Sequence, residues 1–168
     1  ANRKLLKNPN GLFLGTPGCF SGDTRILLAD GSAASFEELL ARGVEEIEVK
    51  TFDDETGRVI TAMARDIRVE KYADVLKQIT LEDGTTFRCT ESHLIMDDAG
   101  EYMQAVDVKE GQKLSGGHTA VRVSVLKLPK KVPVYDLTVP RYMNFLLENG
   151  LVVHNSGKSF SAKREIVN

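Results

Sequence analysis

Two cysteines, Cys19 and Cys89, are all that the 168 residues contain. Two thiols cannot make a disulfide framework, and so low a count fits a reducing compartment where a free thiol keeps its chemistry. No stretch approaches the roughly 18 to 20 consecutive apolar residues needed to cross a bilayer. A signal-peptide apolar run is lacking as well, because Asn8, Pro9, Asn10 and Gly11 interrupt the basic N-terminus. The expectation is a cytoplasmic, monomeric chain with no membrane partner. Excess charge of one sign is small, at −2 overall, which argues against a general nucleic-acid binder. Low-complexity tracts and short-period repeats are missing too. What is present, 42% apolar and 27% charged residues, suffices for one cored domain with short attachments.

The charge is unevenly spread. Residues 1–18 hold Arg3, Lys4 and Lys7 and no acid, and residues 156–168 hold Lys158, Lys163 and Arg164 against Glu165. The body between them carries −7 over 137 residues. The ends also differ in pattern. Gly11-Leu-Phe-Leu14 reads as a buried strand running into the loop Gly15-Thr-Pro-Gly18. Ser156-Gly-Lys-Ser159 leads into helical spacing from Phe160 to Val167. Joined without the body, they spell Gly15-Thr16-Pro17-Gly18-Ser156-Gly157-Lys158-Ser159, a G-x-x-x-x-G-K-S phosphate loop between a strand and a helix. Backbone N–H groups of such a loop cradle phosphates, the lysine reaches the terminal ones, and the serine holds magnesium.

The body reads as short strands. Thr24 to Ala29, the alternating Ile47, Val49 and Thr51, Val59 to Val69, Val75 to Leu81, Thr85 to Cys89, Ala120 to Leu128, Tyr135 to Val139 and Leu151 to Val153 are extended by pattern. Turns fall at Asp30-Gly31, Asp53 to Gly57, Glu82-Asp83-Gly84, Asp97 to Gly100 and Asn149-Gly150. Ser35-Phe-Glu-Glu38 is a capping box opening a short helix that stops at Gly43. Ala105 to Lys109 predicts a helical turn, and Ser115-Gly-Gly-His118 is the most linker-like spot. The fold class expected is all-β with one or two short helices.

The residues at the two breaks suit bond exchange. The Cys19 thiol stands beside the unhindered Gly18 carbonyl, and a thiol is the most nucleophilic neutral side chain. The Asn155 amide nitrogen can attack its own carbonyl, closing a succinimide and cutting the bond to Ser156. The Ser156 hydroxyl can receive an acyl group. His154 can donate to a developing oxyanion or protonate a leaving amine. Each residue also has a bland reading: Cys19 as a small core residue, His93 as a core histidine, Asp136 as a turn acid, and His154-Asn155 as a surface pair.

Four segments in order carry a resemblance to a family. Cys-Phe-Ser-Gly-Asp-Thr-Arg-Ile-Leu-Leu at 19–28, Gly84-Thr-Thr-Phe-Arg-Cys-Thr-Glu-Ser-His93 with its T-x-x-H at Thr90 and His93, Val134-Tyr-Asp-Leu-Thr-Val139 with Asn144-Phe145, and Asn149-Gly-Leu-Val-Val-His-Asn155 before Ser156 resemble the conserved blocks of inteins. The resemblance implies a Hedgehog/intein (HINT) horseshoe of two pseudo-symmetric halves. It divides the chain into an N-extein fragment 1–18, a splicing domain 19–155 and a C-extein fragment 156–168. It implies excision of 19–155 and ligation of Gly18 to Ser156 without cofactor or resident metal, the flanks being the substrate. It also implies His93 as acid, Thr90 as its hydrogen-bonding orienter and Asp136 as an acid near both junctions.

Only 35 residues, 98 to 132, fill the interval where many inteins carry a nuclease, so a minimal form is expected, with a nuclease or a natural split placed near Ser115–His118. The flanks resemble the phosphate loop of a conjugative-transfer or type IV secretion ATPase. One departure stands out: Met143 precedes Asn144-Phe145 where the family often has histidine, and a thioether transfers no proton. Two further expectations are a Cys19–Cys89 disulfide that blocks the reaction, and zinc trapped by Cys19, His93 and His154 as an inhibitor. The competing functions are a Hedgehog-like domain that cleaves without ligating, a nucleotide-binding module with a large insertion, and a β module without chemistry.

Overall fold

The computed structural model describes residues 18–155. The expected strand at 11–14, the phosphate-loop residues Gly15, Gly157, Lys158 and Ser159, the acceptor Ser156 and the helix at 160–167 lie outside them. Eleven strands and one α-helix make up the described residues: β1 Phe20–Ser21, β2 Arg25–Leu27, β3 Ala33–Ser35, α1 Phe36–Ala41, β4 Glu46–Asp53, β5 Arg58–Leu81, β6 Thr86–Cys89, β7 Leu94–Met96, β8 Tyr102–Gln104, β9 Ala120–Thr138, β10 Asn144–Leu146 and β11 Val152–His154. The all-β expectation holds.

The capping box is complete. Ser35 Oγ accepts from Glu38 N–H at 3.1 Å and Glu38 Oε1 accepts from Ser35 N–H at 2.9 Å, so two orphan donors of α1 are satisfied reciprocally. Phe36 and Leu39 face inward. Gly43, at φ +70°, lets the chain leave in a conformation that a Cβ would penalise.

Two expectations change. Val59–Val69 and Val75–Leu81 lie in one 24-residue strand, β5, and Ala120–Leu128 and residues 135–138 belong to a single β9, which stops before the expected Val139. Asp74 and Pro129–Pro133 look like breaks in sequence, but pairing of β5 with β9 carries both strands through them, with register shifts. The pairing order runs β4–β5–β6–β1–β9, and β9 returns to β5. That closure leaves few open edges. A second sheet has the order β10–β11–β7–β8, and β2 pairs with β3.

Ser115–His118 is a short 3₁₀ turn tied down at both ends, not a loose linker. Ser115 Oγ accepts from Val152 N–H at 2.9 Å. Buried His118 sets Nδ1 2.9 Å from a Glu82 carboxylate oxygen and Nε2 2.6 Å from the Asn149 carbonyl. Burial pushes its pKa down, but the Asn149 carbonyl and Glu82 carboxylate outweigh that and the net shift is upward. The His118 ring therefore staples the β5–β6 turn to the turn before β11.

The main core centres on Phe20, Phe36, Phe87 and Phe145, packed with Ile26, Leu39, Ile79, Leu81, Leu137 and Val153. Phe20 alone touches the rings of Phe36, Phe87 and Phe145 at centroid distances of 5.9 to 6.3 Å. It follows Cys19 directly, so the core fixes the position of the first junction.

Candidate active site

Strand pairing places the N-terminal junction at the centre of the molecule. Phe20 is opposite Cys89 in β6 and opposite Tyr135 in β9, so β1 lies between the two. Cys19 is fully buried. Its N–H, which belongs to the Gly18–Cys19 amide, donates to Thr90 Oγ1 at 3.0 Å, and its carbonyl accepts from Thr90 N–H at 2.9 Å. One threonine thus grips the junction from both sides. His93 N–H donates to the Thr90 carbonyl at 3.1 Å, which explains the three-residue spacing: a tight turn brings both side chains to the same bond.

His93 is 1% exposed. Its ring packs against Phe20 at 4.1 Å between centroids. A Cβ added to Gly18 would fall 2.5 Å from His93 Nδ1, so the imidazole lies directly against the Gly18 backbone. Burial, with the neighbouring His154, lowers the His93 pKa to about 3, although the Gly18 and His154 backbones pull it partly upward. The ring is neutral at physiological pH, so it has a lone pair to offer, but its burial makes it a weak base. Neither ring nitrogen makes a well-formed hydrogen bond to a described residue.

The thiol needs a base. Burial first, and the Asp136 carboxylate second, push the Cys19 pKa far up, while Lys71 and Arg68 oppose them. Extending the β1–β9 register by one residue sets Cys19 opposite Asp136, itself fully buried with Oδ1 2.8 Å from Leu137 N–H.

The C-terminal junction comes from the other sheet. Val153 of β11 pairs with Ile95 of β7, two residues from His93. His154 stands edge-on to Tyr102, with ring centroids 5.0 Å apart. Asn155 is fully buried. Its Oδ1 accepts from Val139 N–H at 3.2 Å, its N–H donates to the Met143 carbonyl at 3.0 Å, and its Nδ2 sits 3.9 Å from Met143 Sδ. Met143 has a φ of +59°, a left-handed conformation that costs a side-chain-bearing residue free energy. Met143 therefore holds the asparagine by its backbone and touches it with its sulfur. Sequence reading named Met143 but not this clamp. Val139 was invisible to it, because the group involved is a backbone N–H.

Two expectations do not fit the geometry. Cys89 and Phe20 are cross-strand partners and share a face, so Cys19 points to the other face. Packing agrees: Cys89 belongs to the main core, whereas Cys19 packs with Leu76 and Val134. Both thiols are free, and the pleat argues against a bond between them. Likewise Cys19, His93 and His154 do not gather as a metal set. Among the described residues the trio whose ligand atoms lie within 4.8 Å of one another is Glu82, Asp83 and His118.

The described backbone is similar to solved inteins. It matches a DnaB intein from Synechocystis sp. PCC 6803 with a TM-score of 0.66 at 24% identity, over 83% of this chain and 99% of that one. It matches a bacterial intein-like domain from Clostridium thermocellum with a TM-score of 0.72 at 21% identity, over 84% and 100%. The TvoVMA intein gives 0.66 at 25% identity, over 83% and 98%. The chain has the intein fold. No family model matches. By sequence, the intein-fold chain is 31% identical over 109 residues to a DNA gyrase subunit of Synechocystis sp., covering 62% of this chain. It is 32% identical over 117 residues, 57% of this chain, to the DNA polymerase II large subunit of Pyrococcus abyssi. It spans only 10% and 8% of those proteins' lengths.

Proposed function

We propose that residues 19–155 excise themselves and join Gly18 to Ser156 by protein splicing. The observation that carries this is the place of His93. It lies against Gly18 on one side and near the His154 backbone on the other, so a single neutral base stands between the two scissile regions.

In the first step His93 takes the Cys19 proton as sulfur attacks the Gly18 carbonyl carbon. The C–S bond forms, the C–N bond breaks, and the Cys19 nitrogen takes a proton from the imidazolium. Thr90 holds that nitrogen's N–H in line. The Ser156 hydroxyl then attacks the thioester, giving an ester and returning the thiol. Asn155 Nδ2 next attacks the Asn155 carbonyl, closes a five-membered imide and expels the Ser156 amine. That amine attacks the ester, leaving a Gly18–Ser156 amide. No water or external energy enters. The fold's contribution is positioning, which for oriented groups is worth about 7 to 11 kcal/mol.

The product sequence at the joint is Gly-Thr-Pro-Gly-Ser-Gly-Lys-Ser, so splicing creates a phosphate loop in the host. An ATPase host, in which the loop binds nucleotide only after ligation, is part of the reading. Intact-mass analysis after incubation with reductant tests the splicing. The expected products are a ligated 31-residue peptide and a 137-residue body lighter by one water than its free-acid form. Separated, unligated flanks would indicate a cleaving domain instead. An unchanged mass after reduction and chelation would end the proposal.

A further inference from the structure

β5 passes the junction through two irregularities, between Arg65 and Arg68 and between Val69 and Lys71. At the first, Asp66 takes a φ of +58°. The Asp66 carbonyl and carboxylate accept from Arg68 Nη1 at 2.8 and 3.2 Å, and the same nitrogen reaches Thr138 Oγ1 at 3.3 Å. Arg68 Nε donates to Glu70 Oε1 at 2.7 Å. The two side chains are 15% and 7% exposed. Burying such a pair adds little net stability, and a bulge beside a reacting centre commonly re-aims a side chain.

The register shows the aim. Arg68 is opposite Asp136 in β9, and Asp136 stands opposite the place of Cys19. Residues opposite each other on a sheet share a face. Cation, carboxylate and thiol thus form one row across three strands. Lys71 is opposite Val134, two residues from Asp136, and joins that face. The groups around the thiol are therefore Asp136 from β9, Arg68, Glu70 and Lys71 from β5, and His93 from the turn before β7. Two carboxylates oppose a thiolate and two cations favour it.

We propose that Arg68 is a positioning residue for the first acyl shift: fixed by Asp66, Glu70 and Thr138, its guanidinium keeps the Asp136 carboxylate in the row with Cys19 and offsets its charge while the thiol gives up its proton. The proposal rests on the splicing reading.

In an Asn155→Ala background the first step is read alone, as release of residues 1–18 by added dithiothreitol across neutral and mildly alkaline pH. Arg68→Gln should slow release about tenfold and displace its rise by about one pH unit. Arg68→Lys should recover most of the rate, and Glu70→Gln added to Arg68→Gln should recover part of it. A parental pH profile in Arg68→Gln, or no advantage of lysine over glutamine, would overturn the proposal. Carbon NMR of the Asp136 carboxyl separates the two readings. Arg68→Gln should move its titration to higher pH whether or not the Gly18–Cys19 bond opens, and an unmoved titration overturns the role of Arg68. A moved titration with no thiol-released fragment from the Asn155→Ala protein overturns splicing alone.

Discussion

Replacing Gly18 by alanine puts a methyl group where His93 already stands. The added Cβ would collide first with the His93 Cα, and would lie 2.5 Å from its Nδ1 and 2.7 Å from its Cβ, against an ordinary contact of 3.4 Å or more. The ring alone cannot relieve this: His93 and its backbone would have to retreat by about 1 Å. It has nowhere to go, since Phe20 packs on it at 4.1 Å and only 1% of the residue is exposed. Overpacking of this kind costs about 1–3 kcal/mol. A displacement near 1 Å at a reacting group costs up to roughly a hundredfold in rate. Gly18→Ala should therefore lower Tm and, in the Asn155→Ala background, slow thiol-induced release of residues 1–18 far more than the stability loss explains. Gly31→Ala is the control: its φ is +91° and its Cβ meets nothing within 4 Å, so it should lower Tm without slowing release. Parental release from Gly18→Ala would refute the contact between Gly18 and His93.

Thr90→Val removes the acceptor of the Cys19 N–H while keeping shape. It should cost about 1–3 kcal/mol of stability as an unmet buried donor, measured by denaturant unfolding, and slow the first step. The histidines give opposite pH signs. His93, lowered from 6.5 to about 3, leaves stability full above pH 6.5 and erodes it as pH falls through that window, by up to about 1.4 kcal/mol per unit. Replacing it by glutamine should flatten the acid side of a Tm-versus-pH curve. His118, raised, contributes stability that is full below its unfolded pKa and is lost as pH rises through its folded one, so His118→Gln should flatten the neutral side. Met143→Leu loses only the sulfur contact to Asn155, while the Val139 N–H and the backbone bond remain. Cleavage at Asn155 should slow by less than about tenfold, the effect of one weak contact. Met143→His should add a titration near neutral pH to that cleavage, seen as a pH dependence of succinimide formation by mass.

Local rules carried the secondary elements whose signals are local. The Ser35–Glu38 box produced α1, and Asp30-Gly31, Asp97–Gly100 and Asn149-Gly150 made turns, each with its glycine at positive φ. Very short strands escaped notice: β7, β8 and β10 have three residues each, too few for a period to register. Ser115–His118 misled because glycines that read as slack supply positive φ in a turn clamped by Ser115 and His118.

The proposed register of the excision rests on the sequence alone, because Cys19, Asn155 and Ser156 suggest their chemistry by type and adjacency. The sequence also determined the β class and the pairing of Thr90 with His93, three residues being one turn. Tertiary structure decided what depends on strands meeting across tens of residues. It set His93 against Gly18, placed Asp136 and Arg68 in the row of Cys19, turned Cys89 to the opposite face, and clamped Asn155 between Val139 and Met143. The physical reason is the pleat. Which side chains share a face is fixed by pairing register, and register is a property of two strands at once, not of either one read alone.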